Sequence, residues 1–174
     1  FVPEYNFGAM ENPGCVTFTE SYLSRDTPSF ALRQKRANTI LHEMCHMWFG
    51  DLVTPAWWDN LWLKESFAEN QGTTTAAEAT VYTGEWASFA IGRKAWAYAQ
   101  DQYPTTHPIV ADIPDIPAAT NNFDGITYAK GASVLKQLVA WVGEDAFYQG
   151  VRLYFQRHAN GATSLDDLLT ALEE

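Results

Sequence analysis

The sequence predicts an α+β domain that is predominantly helical, with a small sheet near its amino end. Three observations carry that expectation. Apolar residues recur at helical spacing through most of the chain, and a strand-like run, Val16–Thr19, follows the turn signal Asn12-Pro13-Gly14. The 174 residues are 47% hydrophobic and 14% aromatic, with seven Trp, which is enough for one domain with a ring-rich core. A chain of this length buries roughly 70% of the surface it exposes when unfolded.

The elements follow in order. Residues 1 to 20 hold the small sheet. A first helix is expected from about Pro28 to Phe49, with Thr27 as N-cap, Pro28 at the first helical position and Gly50 as C-cap. Phe30, Ile40, Met44, Met47 and Trp48 are its apolar surface. A connection through Thr54-Pro55 leads to a second helix carrying Glu65. A third is expected from Gly84 to Asp101, capped by Thr83, with Trp86, Phe89, Ala90, Trp96 and Ala97 available for burial. Residues 103 to 122 contain Pro104, Pro108, Pro114 and Pro117, yet Ile109, Val110, Ile113 and Ile116 favour burial, so an ordered wrap is expected. Asp124 caps a fourth helix starting near Gly125, with Tyr128, Ala132, Leu135, Leu138 and Val142 at helical spacing. A fifth runs from Glu144 to His158 with Phe147, Val151, Tyr154 and Phe155 on one side, and a sixth starts at Thr163 or Ser164.

The chemistry is concentrated in His42-Glu43-Met44-Cys45-His46, followed after eighteen residues by Glu65. Helix positions four apart lie within roughly 40° of each other and about 6 Å apart along the axis, so His42 and His46 can share one metal ion. Hydrolytic zinc sites commonly take two His and one carboxylate and keep a water position open, and Glu65 completes that set. Glu43, one residue beyond His42, can reach the water without ligating the metal, which makes it the candidate general base. A five-residue pattern alone also arises by chance. The surrounding helix signals argue against that, as does the position of Glu65 among apolar residues, where an unpaired acid is costly to bury. Cys45 points roughly 80° away from the midpoint of the two imidazoles and is not expected to join them. Glu69, one turn after Glu65, either orients His42 or is a solvated helix acid. His107 and His158 read as structural or surface residues.

Composition narrows the remaining classes. A formal charge of −10 leaves no basic stripe for nucleic acid. It suits a cationic substrate end, since a peptide amino group with a pKa of about 7.7 to 8 is largely charged at neutral pH. No run approaches the roughly 20 apolar residues of a membrane helix, and no secretory pattern is present, so a soluble chain is expected. Two cysteines, Cys15 and Cys45, make no disulfide framework and read as buried thiols of a cytoplasmic protein.

Several separate motifs resemble the aminopeptidase N family of zinc metallopeptidases, which are thermolysin-like gluzincins. Gly8-Ala9-Met10-Glu11-Asn12 looks like that family's exopeptidase motif, His42-Glu43-x-x-His46 with Glu65 matches its zinc signature, and Tyr128-Ala129-Lys130-Gly131 looks like its catalytic tyrosine segment. Trp48 to Thr54 is similar to actinobacterial members in particular. The resemblance spans essentially the whole chain. It implies a thermolysin-like zincin catalytic domain over residues 1–174, one Zn2+ ion held by His42, His46 and Glu65, and hydrolysis of the amino-terminal residue from peptides. It further implies that Tyr128 stabilises the oxyanion, that Glu11 binds the substrate's free amine, and that Gly8 and Ala9 offer backbone contacts to an extended peptide. Taken alone, Tyr128 reads as a core residue and Glu11 as a turn acid. Phe7 either lines the first side-chain pocket or packs in the core.

Family members are longer, so flanking domains of the same chain are expected partners. Phe1, which is not an initiator Met, accords with missing sequence upstream. Two departures stand out: Lys64-Glu65-Ser66 where many members have Asn-Glu-Gly, and Asp51 where many have Asn. Neither removes a ligand, but Lys64 places a cation beside Glu65. A rival expectation is a folded fragment that binds zinc and peptide but is catalytically silent without its neighbours. An endopeptidase is disfavoured by Glu11, and a lipid-epoxide hydrolase has no marked lipid pocket.

Overall fold

Two helices, α1 (Phe30–His46) and α2 (Leu61–Ala79), pack along each other more extensively than any other pair of elements. The computed structural model describes residues 1–174. Ahead of α1 lies the expected small sheet, an antiparallel pair of β1 (Ala9–Met10) and β2 (Thr17–Phe18) with Ala9 opposite Phe18. The architecture is therefore a mostly helical α+β domain.

Helix α1 starts later than its sequence signals imply. Ser29, not Thr27, is the N-cap, its hydroxyl accepting from the Leu32 N–H at 3.2 Å. The chain leaves the helix through a tight turn in which Gly50 adopts φ +137°, a conformation that disfavours any side chain. The expected apolar surface is not the buried one: Phe30, Ile40, Met44 and Trp48 are all exposed, and the stripe turned toward α2 is His42, Glu43 and His46. Periodicity gives a face but not the partner that covers it, and here the polar face is the covered one.

Helix α2 is buried on most sides, including Leu61, Trp62, Leu63, Phe67 and Ala68. Leu63 and Phe67 enter a core with Phe49, Leu135, Phe147, Val151, Tyr154 and Leu168, in which Phe49 and Phe67 stack with centroids 4.7 Å apart. Gly72 permits the close approach of α1, since a Cβ there would lie 3.0 Å from the His42 backbone nitrogen. One pairing was not legible beforehand. Strand β3 (Val53–Pro55) joins β4 (Gly161–Thr163) in parallel, Val53 opposite Gly161, tying the turn after α1 to the carboxyl end.

The expected third helix is two, α3 (Glu85–Ile91) and α4 (Arg93–Gln100), broken at Gly92. Thr83 does not cap; the N-cap is Gly84, without a side-chain bond. Phe89 and Ala97 are buried, whereas Ala90 and Trp96 are exposed. The proline-rich stretch is ordered and contains α5 (Ile116–Asn121), capped by the Asp115 carboxylate accepting from Ala118 N at 2.8 Å. Ile113 is buried and Ile109 packs on the core, but Val110 and Ile116 are exposed.

Asp124 accepts from the N–H groups of Ile126 and Thr127 at 2.9 and 3.0 Å, as a cap does. What it opens is a π-helical turn, Ile126–Lys130, which passes into α6 (Gly131–Val142). Such turns insert an extra residue per turn and re-aim side chains, here around Tyr128. Helix α7 (Glu144–His158) has the expected bounds, and α8 (Leu165–Leu172) opens with a capping box between Ser164 and Asp167.

Candidate active site

Helix α1 supplies His42 and His46 on one face, and the first turns of α2 place Glu65 opposite them. His42 Nε2 and His46 Nε2 are 3.1 Å apart, and Glu65 Oε2 lies 3.4 and 3.3 Å from them. Donors bonded to one tetrahedral ion at roughly 2.0 to 2.1 Å are separated by about 3.3 to 3.4 Å, so this triangle fits such an ion. The donor types fit as well. The His46 Nδ1–H donates to the Phe49 carbonyl at 2.9 Å, which makes Nε2 the ring atom that a metal ion would take once its proton has left. Burial acts to raise the Glu65 carboxyl, but the His46 charge, hydrogen bonds from both imidazoles and the Lys64 charge overcome it and hold the group well below the usual carboxylate range.

Glu69 is not a solvated acid. Its side chain is buried, its Oε2 lies 3.7 Å from His42 Nδ1, and both its oxygens accept from Arg93, Nε–H at 2.6 Å and Nη2–H at 2.8 Å. The Arg93 guanidinium also lies over the Tyr128 ring, 5.4 Å from its centroid, and over Trp96 at 4.8 Å. Arg93 was not singled out in the sequence. It is brought in by the short turn from α3 to α4, and the buried Glu69 carboxylate is the charge it neutralises.

Glu43 shares the buried face of α1. Burial pushes its carboxyl up to about 7, against the lowering pull of His42 and His46. Glu11, Glu43 and His46 bring polar atoms within 4.8 Å of one another, so Glu11, directly after β1, reaches the same centre. Tyr128 is half-buried, with its ring stacked on His42 at 6.0 Å between centroids. Burial, and then the Glu65 carboxylate, push its phenol well above the usual tyrosine range, so it is a hydrogen-bond donor.

Glu11 has a cation already. Its Oε1 accepts directly from Lys64 Nζ, and Lys64 also lies 3.4 Å from Glu65 Oε1. Burial raises the Glu11 carboxyl, and His46 and Lys64 bring the net shift below its ordinary value. Gly8 and Ala9 sit at the sheet, where the Gly8 carbonyl accepts from Thr19 N at 2.9 Å and β1 has a strand partner on one side only. Phe7 is 57% exposed, which removes it from the core.

The other polar candidates lie apart. Burial pushes the Cys45 thiol up to about 12, so it stays protonated. Cys15 is exposed and Cys45 half-buried, which corrects the expectation of two buried thiols. His107 bridges the Pro108 carbonyl and Asp124 Oδ2, both at 2.7 Å, and His158 packs on Tyr154.

All of the chain, residues 1–174, matches the family model for the peptidase family M1 domain. The chain belongs to peptidase family M1. This M1 domain is 58% identical to Aminopeptidase N of Streptomyces lividans, an alignment covering 100% of this chain and 20% of that one. It is 38% identical to Leucyl aminopeptidase of Saccharolobus solfataricus, across 99% of this chain and 22% of the other. Identity to Tricorn protease-interacting factor F2 of Thermoplasma volcanium is 40%, with 99% and 22% covered. The M1 domain thus spans about a fifth of the length of the curated relatives it matches. None of its helices is long and apolar enough to cross a membrane.

Proposed function

We propose that this M1 domain is the thermolysin-like catalytic centre of a zinc aminopeptidase, which hydrolyses the amino-terminal residue from peptides. The observation that carries the proposal is the donor triangle of His42, His46 and Glu65, with edges of 3.1 to 3.4 Å, beside the buried Glu43. One zinc ion held there supplies Lewis-acid polarisation of a carbonyl and acidifies water toward a pKa of about 7. Glu43, buried beside the donor triangle, takes a proton from the attacking water and returns it to the departing amine nitrogen, general-base and then general-acid work by one carboxylate. Tyr128, kept protonated, donates its O–H to the oxyanion formed at the scissile carbonyl.

Exopeptidase selectivity is assigned to Glu11. A carboxylate that is largely desolvated gains most from a charged partner, and a peptide's free ammonium is that partner. The unpaired side of β1 at Ala9, with Gly8 just before it, suits an extended peptide backbone. The extent of the relatives supports a catalytic domain within a longer chain, whose flanking domains pack against it. The two free thiols support a cytoplasmic setting. A second reading, a zinc- and peptide-binding piece that is silent alone, is favoured by the exposed apolar face of α1.

Hydrolysis of a leucine amide reporter and its amino-acetylated twin by the zinc-loaded protein tests these readings, with Glu43→Gln as control. Cleavage of the free-amine reporter alone, lost in the variant, is the expected result. Equal cleavage of both reporters removes the Glu11 assignment and leaves an endopeptidase. Bound zinc without any cleavage gives the silent piece.

A further inference from the structure

Lys64 occupies a position that the proposed chemistry leaves unexplained. Its Nζ contacts Glu11 Oε1 directly and lies 3.4 Å from Glu65 Oε1, so one ammonium is cradled by two carboxylates from different elements. Both partners are shielded, the Lys64 side chain 18% and the Glu11 side chain 12% exposed. The stem is accommodated by Gly50, where a Cβ would stand 3.4 Å from Lys64 Cδ. An alkylammonium on Glu11 beside the metal donors is the same pair of groups that a peptide amino terminus makes there.

We propose that Lys64 is an internal competitor that sets the affinity of the amine site: its ammonium occupies Glu11 in the substrate-free enzyme and must yield that carboxylate to the incoming amino terminus. This inference rests on the assignment of Glu11 to the substrate's amine. The second carboxylate makes the exchange short, because Nζ on leaving Glu11 stays beside Glu65 Oε1. Every free-amine substrate then binds against the same internal competitor, which raises KM for all of them by a common factor. A lysine that merely positioned Glu11 has the opposite signature, since its loss weakens substrate binding.

Steady-state kinetics of the zinc-loaded protein on the leucine amide reporter separates the two. In Lys64→Gln the KM is expected to fall about 3- to 10-fold, the scale on which a shielded ion pair competes, with kcat changed much less. Lys64→Arg, which keeps the cation, stays nearer the parent. In a Glu11→Gln background the Lys64→Gln change no longer moves KM. An unchanged or raised KM in Lys64→Gln, while Glu11→Gln alone raises KM, overturns the competitor role and leaves the amine site standing. An unchanged KM in Glu11→Gln overturns the amine site and the competitor together. Independently of any variant, a crystal structure of the zinc-loaded parent with leucine hydroxamate should show the ligand's ammonium on Glu11 and Lys64 Nζ outside hydrogen-bond reach of it. Lys64 still bonded to Glu11 in that complex overturns the inference.

Discussion

Glu43 and Glu65 are both buried carboxylates beside the same two imidazoles, yet their environments drive them in opposite directions. Glu65 lies 3.3 to 3.4 Å from both rings and from Lys64 and stays ionised, whereas for Glu43 burial dominates. In metal-stripped protein the Glu43 shift has a defined sign. A folded-state value of about 7 against an ordinary 4.5 means that the folded protein binds more protons in that window, so stability falls as pH rises through it. Metal-stripped Glu43→Gln, which does not titrate, is expected to melt at increasingly higher temperature than the parent as pH rises from 4.5 to 7, measured by calorimetry. A constant difference across that range contradicts the account. Arg93 acts one layer further out, through Glu69 on His42. Arg93→Met is expected to weaken zinc retention in chelator competition by about 10- to 100-fold, the usual effect of removing an outer partner of a metal-bound histidine. That His42, Glu43 and His46 share one face of α1 was legible because helical spacing fixes who faces whom. Arg93 was not, because its pairing spans 24 residues and depends on how α4 docks.

At the scale of elements, the proposed metal site depends on how closely α1 and α2 approach. Gly72 sets that distance, and a Cβ there meets backbone atoms of His42 at 3.0 and 3.2 Å, which have no rotamer to give way. Gly72→Ala is expected to cost about 1 to 3 kcal/mol in denaturant unfolding and to lower zinc affinity, because the helices must separate at the ligand itself. Unchanged metal affinity would show that α1 and α2 absorb the methyl elsewhere. Helix α7 was legible to the residue, because its charged first turn, one-sided apolar spacing and flanking Gly143 agree. The split of α3 from α4 hinged on Gly92, whose effect inside a helical pattern depends on packing. The β3–β4 pairing joins segments more than 100 residues apart and leaves no local trace.

For the molecule as a whole, the distribution of apolar surface is as informative as the core. Trp141 is 86% exposed on α6 and Trp48 52% exposed after α1, among other large apolar residues left outside. Composition announced enough apolar side chains for a core but not which would remain uncovered, since that is decided by neighbours rather than by the residue. Such surface favours association. The 174-residue chain is expected to scatter light and bind an apolar dye with rising concentration, and the pair Trp48→Gln with Trp141→Gln to reduce both without altering zinc stoichiometry. If the double variant behaves like the parent, those faces are not sticky.

The most direct test of the central claim is a zinc titration of metal-stripped protein, read as turnover of the leucine amide reporter. The account predicts a linear rise that breaks at one equivalent per chain and is absent when Glu65 is replaced by Gln. Turnover that persists without metal, or a break at two equivalents, would contradict a single ion held by His42, His46 and Glu65.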